Sequence, residues 1–209
     1  VIYEDDGFRR EAWADAQEML ARRSLKPAAV AVQPKNSLKV DSAVALVMEA
    51  QPQVVLLVAN TPVATAMIKE LRAQNNPAFI FTTSTVDAEQ LVTQLGKIAA
   101  GVAVAQSVPN PYKATAPIAM EFQNRVKSLG LDTARGNFAS LEGYIAARVV
   151  AEGLRRAGRN PSRKDLVRGL ESLKRFNLGG FLLDFAPQQH EGSRFVDLSL
   201  IGAEGRICQ

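Results

Sequence analysis

Residues equipped to make or break bonds are scarce in this sequence. It holds one histidine, His190, in a polar turn, and one cysteine, Cys208, next to the C-terminus. A single thiol allows no internal disulfide and no cysteine-based zinc site. There is no G-x-G-x-x-G, no G-x-x-x-x-G-K-[ST], no H-E-x-x-H and no G-x-S-x-G, so nucleotide, zinc-protease and serine-hydrolase chemistry lack their usual cast. The acidic run Glu4-Asp5-Asp6 has charge enough for a cation. At a strand end ahead of a helix it reads first as a cap that favours the helix dipole. No metal, no cofactor and no catalytic residue is assigned. The chemistry on offer is recognition: Asn60, Thr61, Thr82, Thr83, Ser84 and Thr85 are small polar groups clustered in loops, and Phe8 and Tyr112 add aromatic surface.

The elements that carry these residues follow a repeated pattern. Short apolar runs centre near Ile2, Val30, Leu56, Ile80 and Val102, at spacings of 28, 26, 24 and 22 residues. Each interval holds a strand, a helix and two loops, and parallel strands need crossovers of about a dozen residues or more. Continuous runs such as Val54-Val55-Leu56-Leu57-Val58 suit strands covered on both faces. The reading is α/β, a parallel doubly wound sheet of five strands. The first helix is expected to follow Asp6-Gly7 and bury Ala12, Ala16, Met19 and Leu20. The second is expected to be capped by Asp41, the third by Thr61 with Pro62 after it, and the fourth by Asp87 with Gln90 three residues on. Ligands of such sheets bind beyond the carboxyl ends of the strands, here the loops 4–8, 33–41, 59–62, 81–87 and 105–112. Several of these loops open helices, whose N-termini favour an anion such as a carboxylate.

After Val108-Pro109-Asn110-Pro111-Tyr112 the pattern becomes helical. Ile118, Phe122, Val126 and Leu129 form one stripe; Phe138, Leu141, Ile145, Val149 and Leu154 a second; Leu166, Leu170 and Leu173, after a Ser162 cap, a third. Each buried large apolar side chain contributes about 1.5–3 kcal/mol. Half a dozen left open would forgo on the order of 10 kcal/mol, comparable with the roughly 5–15 kcal/mol that holds a domain together. These stripes therefore call for a sheet that 115–174 does not contain. The tail adds a small antiparallel piece, with Val196, Leu198 and Leu200 alternating inward against Asp197 and Ser199.

Composition adds limits. Glycine and proline total 24 of 209 residues, the formal net charge is +4, and the longest apolar run, Ile98–Ala105, is about eight residues, far short of the roughly 20 a membrane helix needs. The stretch Arg155–Arg175 has eight Lys or Arg and two acids. It reads as the polar faces of two helices, and no nucleic-acid partner is assigned.

Ordered motifs resemble one family. Tyr3-Glu4-Asp5-Asp6-Gly7-Phe8 after a strand, Gln51-Pro52-Gln53-Val54-Val55, Ala100-Gly101-Val102, Gly143-Tyr144-Ile145-Ala146-Ala147 with Ala151–Gly158, and Phe176-Asn177-Leu178-Gly179-Gly180-Phe181 are similar to segments of the leucine/isoleucine/valine-binding family. These are type I periplasmic solute-binding proteins of ABC transporters. The resemblance runs over nearly the whole chain.

It implies two α/β lobes that close on a ligand. Residues 1–108 and 178–209 would be the second lobe, and 113–175 the helical part of an incomplete first lobe whose sheet lies in an N-terminal portion outside this chain. Hinges would fall near 106–113 and 174–180. Phe8 matches an aromatic ligand contact, and Asn60 or Thr61 a second contact. Thr83 or Ser84 falls where amino-acid-binding members place an acid for the ligand's ammonium. With no acid there, binders of amides, urea or aromatic and short carboxylates fit equally well. The resemblance implies a periplasmic protein, exported by a signal peptide not in this chain, with a small-molecule ligand and an ABC permease as partners. It also leaves room for a homodimer through the first-lobe helices. A ligand-sensing regulatory or receptor domain on the same fold is the alternative.

Overall fold

The computed structural model describes residues 1–113, 115–131 and 136–208. The chain forms two compact units, Val1–Ala105 with Leu198–Gln209, and Gln106–Asp197.

In the first unit the strands are β1 (Ile2–Glu4), β2 (Ala31–Gln33), β3 (Val54–Val58), β4 (Phe79–Thr83), β5 (Val102–Gln106), and, from the tail, β8 (Asp197–Ile201) and β9 (Ile207–Cys208). The sheet order is β2-β1-β3-β4-β5-β8-β9. β1 to β5 are mutually parallel, with Ile2 beside Ala31 and Leu57, Val55 beside Ile80, and Ile80 beside Val102. β8 and β9 pair antiparallel. The expected doubly wound sheet is therefore present. Its crossovers are α1 (Gly7–Ala21), α2 (Asp41–Ala50), α3 (Thr61–Ala73) and α4 (Ala88–Leu95). Right-handed connections send the chain outward from β1 to β2 and then back over β1 to β3. This puts α1 on one face and α2 to α4 on the other.

The core lies under α2–α4. Ile2, Val44, Leu57, Val63, Met67, Ile68, Leu71, Ile80, Leu91, Val102 and Ile201 belong to one buried cluster. The opposite face is open over much of its area: Val54, Phe79, Phe81, Leu198 and Leu200 are exposed. This overturns two expectations. No residue of α1 is buried, because α1 lies alone on that face, with Trp13 stacked on Tyr3 at 6.2 Å. The alternation along β8 is also inverted. Ser199 and Ile201 point into the core at 0% exposed, while Val196, Leu198 and Leu200 face outward. The Gly101 N–H to Ile201 C=O bond (2.8 Å) sets that register and brings Ile201 into the core.

Helix starts differ from the sequence reading by one residue in two places. α2 is preceded by Val40 without a side-chain cap, and Asp41 sits in its first turn. α3 is capped by Asn60, whose side chain accepts from Val63 N–H, with Thr61 and Pro62 following inside the helix. Asp87 caps α4 through the Gln90 N–H as expected.

The second unit contains α5 (Pro117–Ser128), α6 (Phe138–Ala157), α7 (Arg163–Glu171) and the hairpin β6 (Phe176–Leu178)–β7 (Phe181–Leu183). Its stripes are buried, contrary to the expectation that they lack cover. Ile118, Phe122, Val126, Phe138, Leu141, Ile145, Val149 and Leu173 are all buried. α5 meets the hairpin through the Ile118 N–H to Gly179 C=O bond at 2.9 Å, and Phe122 packs on Tyr144 with ring centroids 5.4 Å apart. Two positions leave the expected stripes: Leu129 and Leu154 are exposed. Beside Leu154 it is Gly153 that is buried, under Leu170 and Leu166 of α7. Ser162 and Asp165 form a reciprocal capping box at the start of α7. Residues 178–197, read from the sequence with the second lobe, group here with the helices, tied by Phe185 N–H to Leu173 C=O.

Candidate functional site

The sheet order reverses direction between β1 and β3: the chain leaves β1 toward β2 and returns to β3. Loops on either side of such a switch diverge to opposite faces and leave a crevice at the carboxyl ends of the strands. Five of the six candidate contacts lie in these loops.

Phe8 stands in the first turn of α1, 62% exposed. Asn60 is fully occupied by protein. Its Oδ1 accepts from Val63 N–H at 3.0 Å, and its Nδ2 donates to Glu4 Oε1 at 3.2 Å and to Asn36 Oδ1 at 2.8 Å. Thr61 is buried, and its Oγ1 accepts from the Asp87 N–H at 3.0 Å, joining the β3 and β4 loops. Thr83 shares a hydroxyl–hydroxyl bond of 2.7 Å with Thr85, which donates to Ala59 C=O at 2.9 Å. Ser84 is half-buried at the end of β4. Tyr112 belongs to the other unit, half-exposed and edge-on to Phe138 at 6.1 Å.

The acidic run resolves differently from a cation site. Asp5 pairs with Arg10. Asp6 caps α1 through the Arg9 N–H and also pairs with the Arg9 side chain. That backbone bond is the main reason its carboxyl is held below the usual range. Glu4 is fully buried and bonded to Asn36 and Asn60. Each carboxylate is spent on protein donors, and no cluster of metal-ligating side chains exists among the described residues.

Glu4, Asn36 and Thr85 are the residues that sequence reading passed over as loop organisers. The alternation Ile2-in, Tyr3-out implies Glu4-in, but a buried acid is uncommon enough that the pattern alone does not suggest it. The remaining reactive residues lie elsewhere. His190 is exposed, with Nε2 3.1 Å from a Glu171 carboxylate oxygen, and Cys208 is exposed on β9. Within the basic stretch, Arg155 and Arg156 both reach Glu152, and Arg168 pairs with Asp165.

A parallel run ordered 2-1-3-4-5 with small polar loops at its carboxyl end defines an open, doubly wound α/β fold. The profile of the periplasmic binding protein family matches residues 1–199, and the chain belongs to that family. Periplasmic binding proteins are extracytoplasmic carriers rather than enzymes. Among solved structures, a substrate-binding periplasmic protein from Ralstonia solanacearum is 30% identical with a TM-score of 0.88, over 100% of this chain and 60% of its own. A possible leucine/isoleucine/valine-binding protein from Rhodopirellula baltica is 24% identical with a TM-score of 0.89, over 100% of this chain and 58% of its own. A branched chain amino acid ABC transporter protein from Thermus thermophilus, solved with bound valine, shares the fold at 15% identity and a TM-score of 0.82, over 99% of this chain and 57% of its own. The chain thus spans about 60% of the length of these relatives. No curated protein sequence matches it. No helix among the described residues is long and apolar enough to cross a membrane.

Proposed function

We propose that the chain is the larger part of the extracytoplasmic solute-binding component of an ABC importer. It captures a small polar ligand (an amino acid, amide or small carboxylate) by closure between two lobes. Residues 1–108 and 198–209 would belong to the second lobe, and 113–175, with the 178–197 segment that packs on them, to the helical part of the first. The observation that carries this reading is the loop cluster at the β1/β3 switch. Four loops there are laced together by Glu4, Asn60, Thr61 and Thr85, while Phe8 and Ser84 would meet the ligand. Asn60, Thr61 and Thr83 shape the wall from within, and Tyr112, in the 106–113 hinge, adds aromatic surface. Closure works by population: the ligand contacts both lobes only when closed and shifts the equilibrium by its differential affinity. A membrane permease then reads the closed form, and the protein works in the periplasm. A homodimer through the first-lobe helices would use exposed apolar residues there, such as Val150 and Leu154 of α6 and Val167 of α7.

The test is calorimetric titration with amino acids, amides, urea, short carboxylates and fatty acids. It is run on this chain alone and on a chimera completed with the remaining part of the Ralstonia solanacearum relative. The chimera is expected to bind one of these classes and the chain alone to bind poorly. Micromolar binding by the chain alone overturns two-lobe capture, and silence of the chimera toward every class overturns the ligand range.

A further inference from the structure

At the carboxyl end of β1 a carboxylate occupies a position where packing would ask for an apolar group. Glu4 is 0% exposed; its oxygens accept hydrogen bonds from two loops and face the Arg9 guanidinium of α1 in an ion pair. Oε1 accepts from the Asn36 N–H at 2.9 Å and Asn60 Nδ2 at 3.2 Å. Oε2 accepts from the Asn60 N–H at 2.5 Å and lies 3.3 Å from Arg9 Nε. Taking a carboxylate out of water costs far more than burying a neutral side chain of the same size, so filling space does not explain an acid here. The donors it serves do. Asn36 sits at φ +57°, a left-handed conformation that asparagine tolerates, and this turns its N–H inward to Glu4. The Asn60 N–H lies just beyond the end of β3, across the strand switch. Without an acceptor between β1 and β3, both part-buried N–H groups would lose the partner they have here.

We propose that Glu4 is the positioning residue of the ligand-facing loops. Its carboxylate locks the Asn36 turn, the Asn60 cap and, through Arg9, the first turn of α1 in one fixed relation. That fixes where the N-terminus of α3 and the adjoining Phe8 stand. It is not itself a ligand contact, since it is shut off from solvent and its oxygens are taken by protein. Nor does it replace the acid missing at Thr83-Ser84. The inference rests on the reading of these loops as ligand-facing.

The test compares the 209-residue chain with Glu4→Gln and Glu4→Asp by amide hydrogen exchange and two-dimensional amide spectra, with no ligand added. Glutamine keeps the volume but turns one acceptor into a donor facing donors. Aspartate keeps the charge but is one methylene short of spanning both loops. In each variant the Asn36 and Asn60 backbone amides are expected to exchange about tenfold faster or more, the scale of a lost hydrogen bond to a charged group. The Asn60 side-chain amide resonances should move, while core amides at Ile80 and Val102 keep their protection. Unchanged Asn36 and Asn60 signals in both variants overturn the proposal. So does an equal loss of protection in loops and core, or global unfolding of both variants, because each assigns Glu4 a general packing role. With no ligand in the readout, failure here counts against Glu4 alone, and failure of the chimera titration counts against the ligand-site reading.

Discussion

The crossing of α6 and α7 gives opposite signs for the same substitution made at two glycines. A Cβ added at Gly169 would lie 2.3 Å from the Gly153 carbonyl oxygen and 3.2 Å from its carbonyl carbon. The first distance is more than an ångström inside the roughly 3.5–4.0 Å optimum for carbon contacts. The obstruction is backbone, so no rotamer change relieves it and the helices must separate. Overpacking of this kind costs about 1–3 kcal/mol, against a helix-propensity gain of about 0.8–1.0 kcal/mol for replacing glycine by alanine. Gly169→Ala is therefore expected to destabilise the second unit by about 1–2 kcal/mol, taking the upper part of the overpacking range. At Gly143, on the exposed side of α6, an added Cβ meets nothing within 4 Å. Gly143→Ala should gain about 0.5–1 kcal/mol.

The assay must watch the right unit. The chain's one tryptophan, Trp13, lies in the first unit, so its fluorescence should report the same transition in both variants. Hydrogen exchange of α6 and α7 peptides, with helical circular dichroism, should separate them. A stabilised or unchanged α6–α7 pair in Gly169→Ala would refute the close-crossing argument, because propensity alone predicts that result.

Three further outcomes follow from the geometry. The carboxyls of Glu152, held to about 2 chiefly by Arg155 and then Arg156, and of Asp165, held to about 2 chiefly by the Ser162 hydroxyl, bind protons less readily folded than unfolded. Their stabilisation of the second unit is therefore complete above the unfolded values and drains away as pH falls from about 4.5 to about 2. Ser162→Ala should shrink that acid loss in a pH series of melts, and an unaltered series contradicts the assignment. Ser199 Oγ is buried without a partner, so Ser199→Ala is expected to stabilise the first unit by about 1 kcal/mol in denaturant titration; destabilisation would mean the hydroxyl is satisfied. Phe8→Ala should leave melting within about 0.5 kcal/mol, since the ring is exposed, while weakening ligand binding in the completed chimera at least several-fold. Unchanged affinity removes Phe8 from the site.

The sequence was informative wherever local spacing carries the signal. The repeated apolar runs marked out the parallel sheet, and Asp87 and Ser162 announced two helix starts. Local rules were a residue off at Asn60, because asparagine and threonine are both good caps and only the backbone turn chooses between them. They failed outright along β8. Alternation says which residues share a face, and packing says which face is inside. Ser199 points inward because Ile201, two residues on, is needed by the core under α4, while leucines at 198 and 200 stay in solvent.

Sequence alone thus determined the strand and helix grammar and the family likeness. These follow from residue type and spacing within one element. The tertiary structure alone decided what buries the helical stripes of 113–175, which face of the sheet stays open, and which groups Glu4 meets. Those answers depend on contacts between residues tens of positions apart: Glu4 meets Asn36 and Asn60 only after β2 and β3 have been laid on either side of β1.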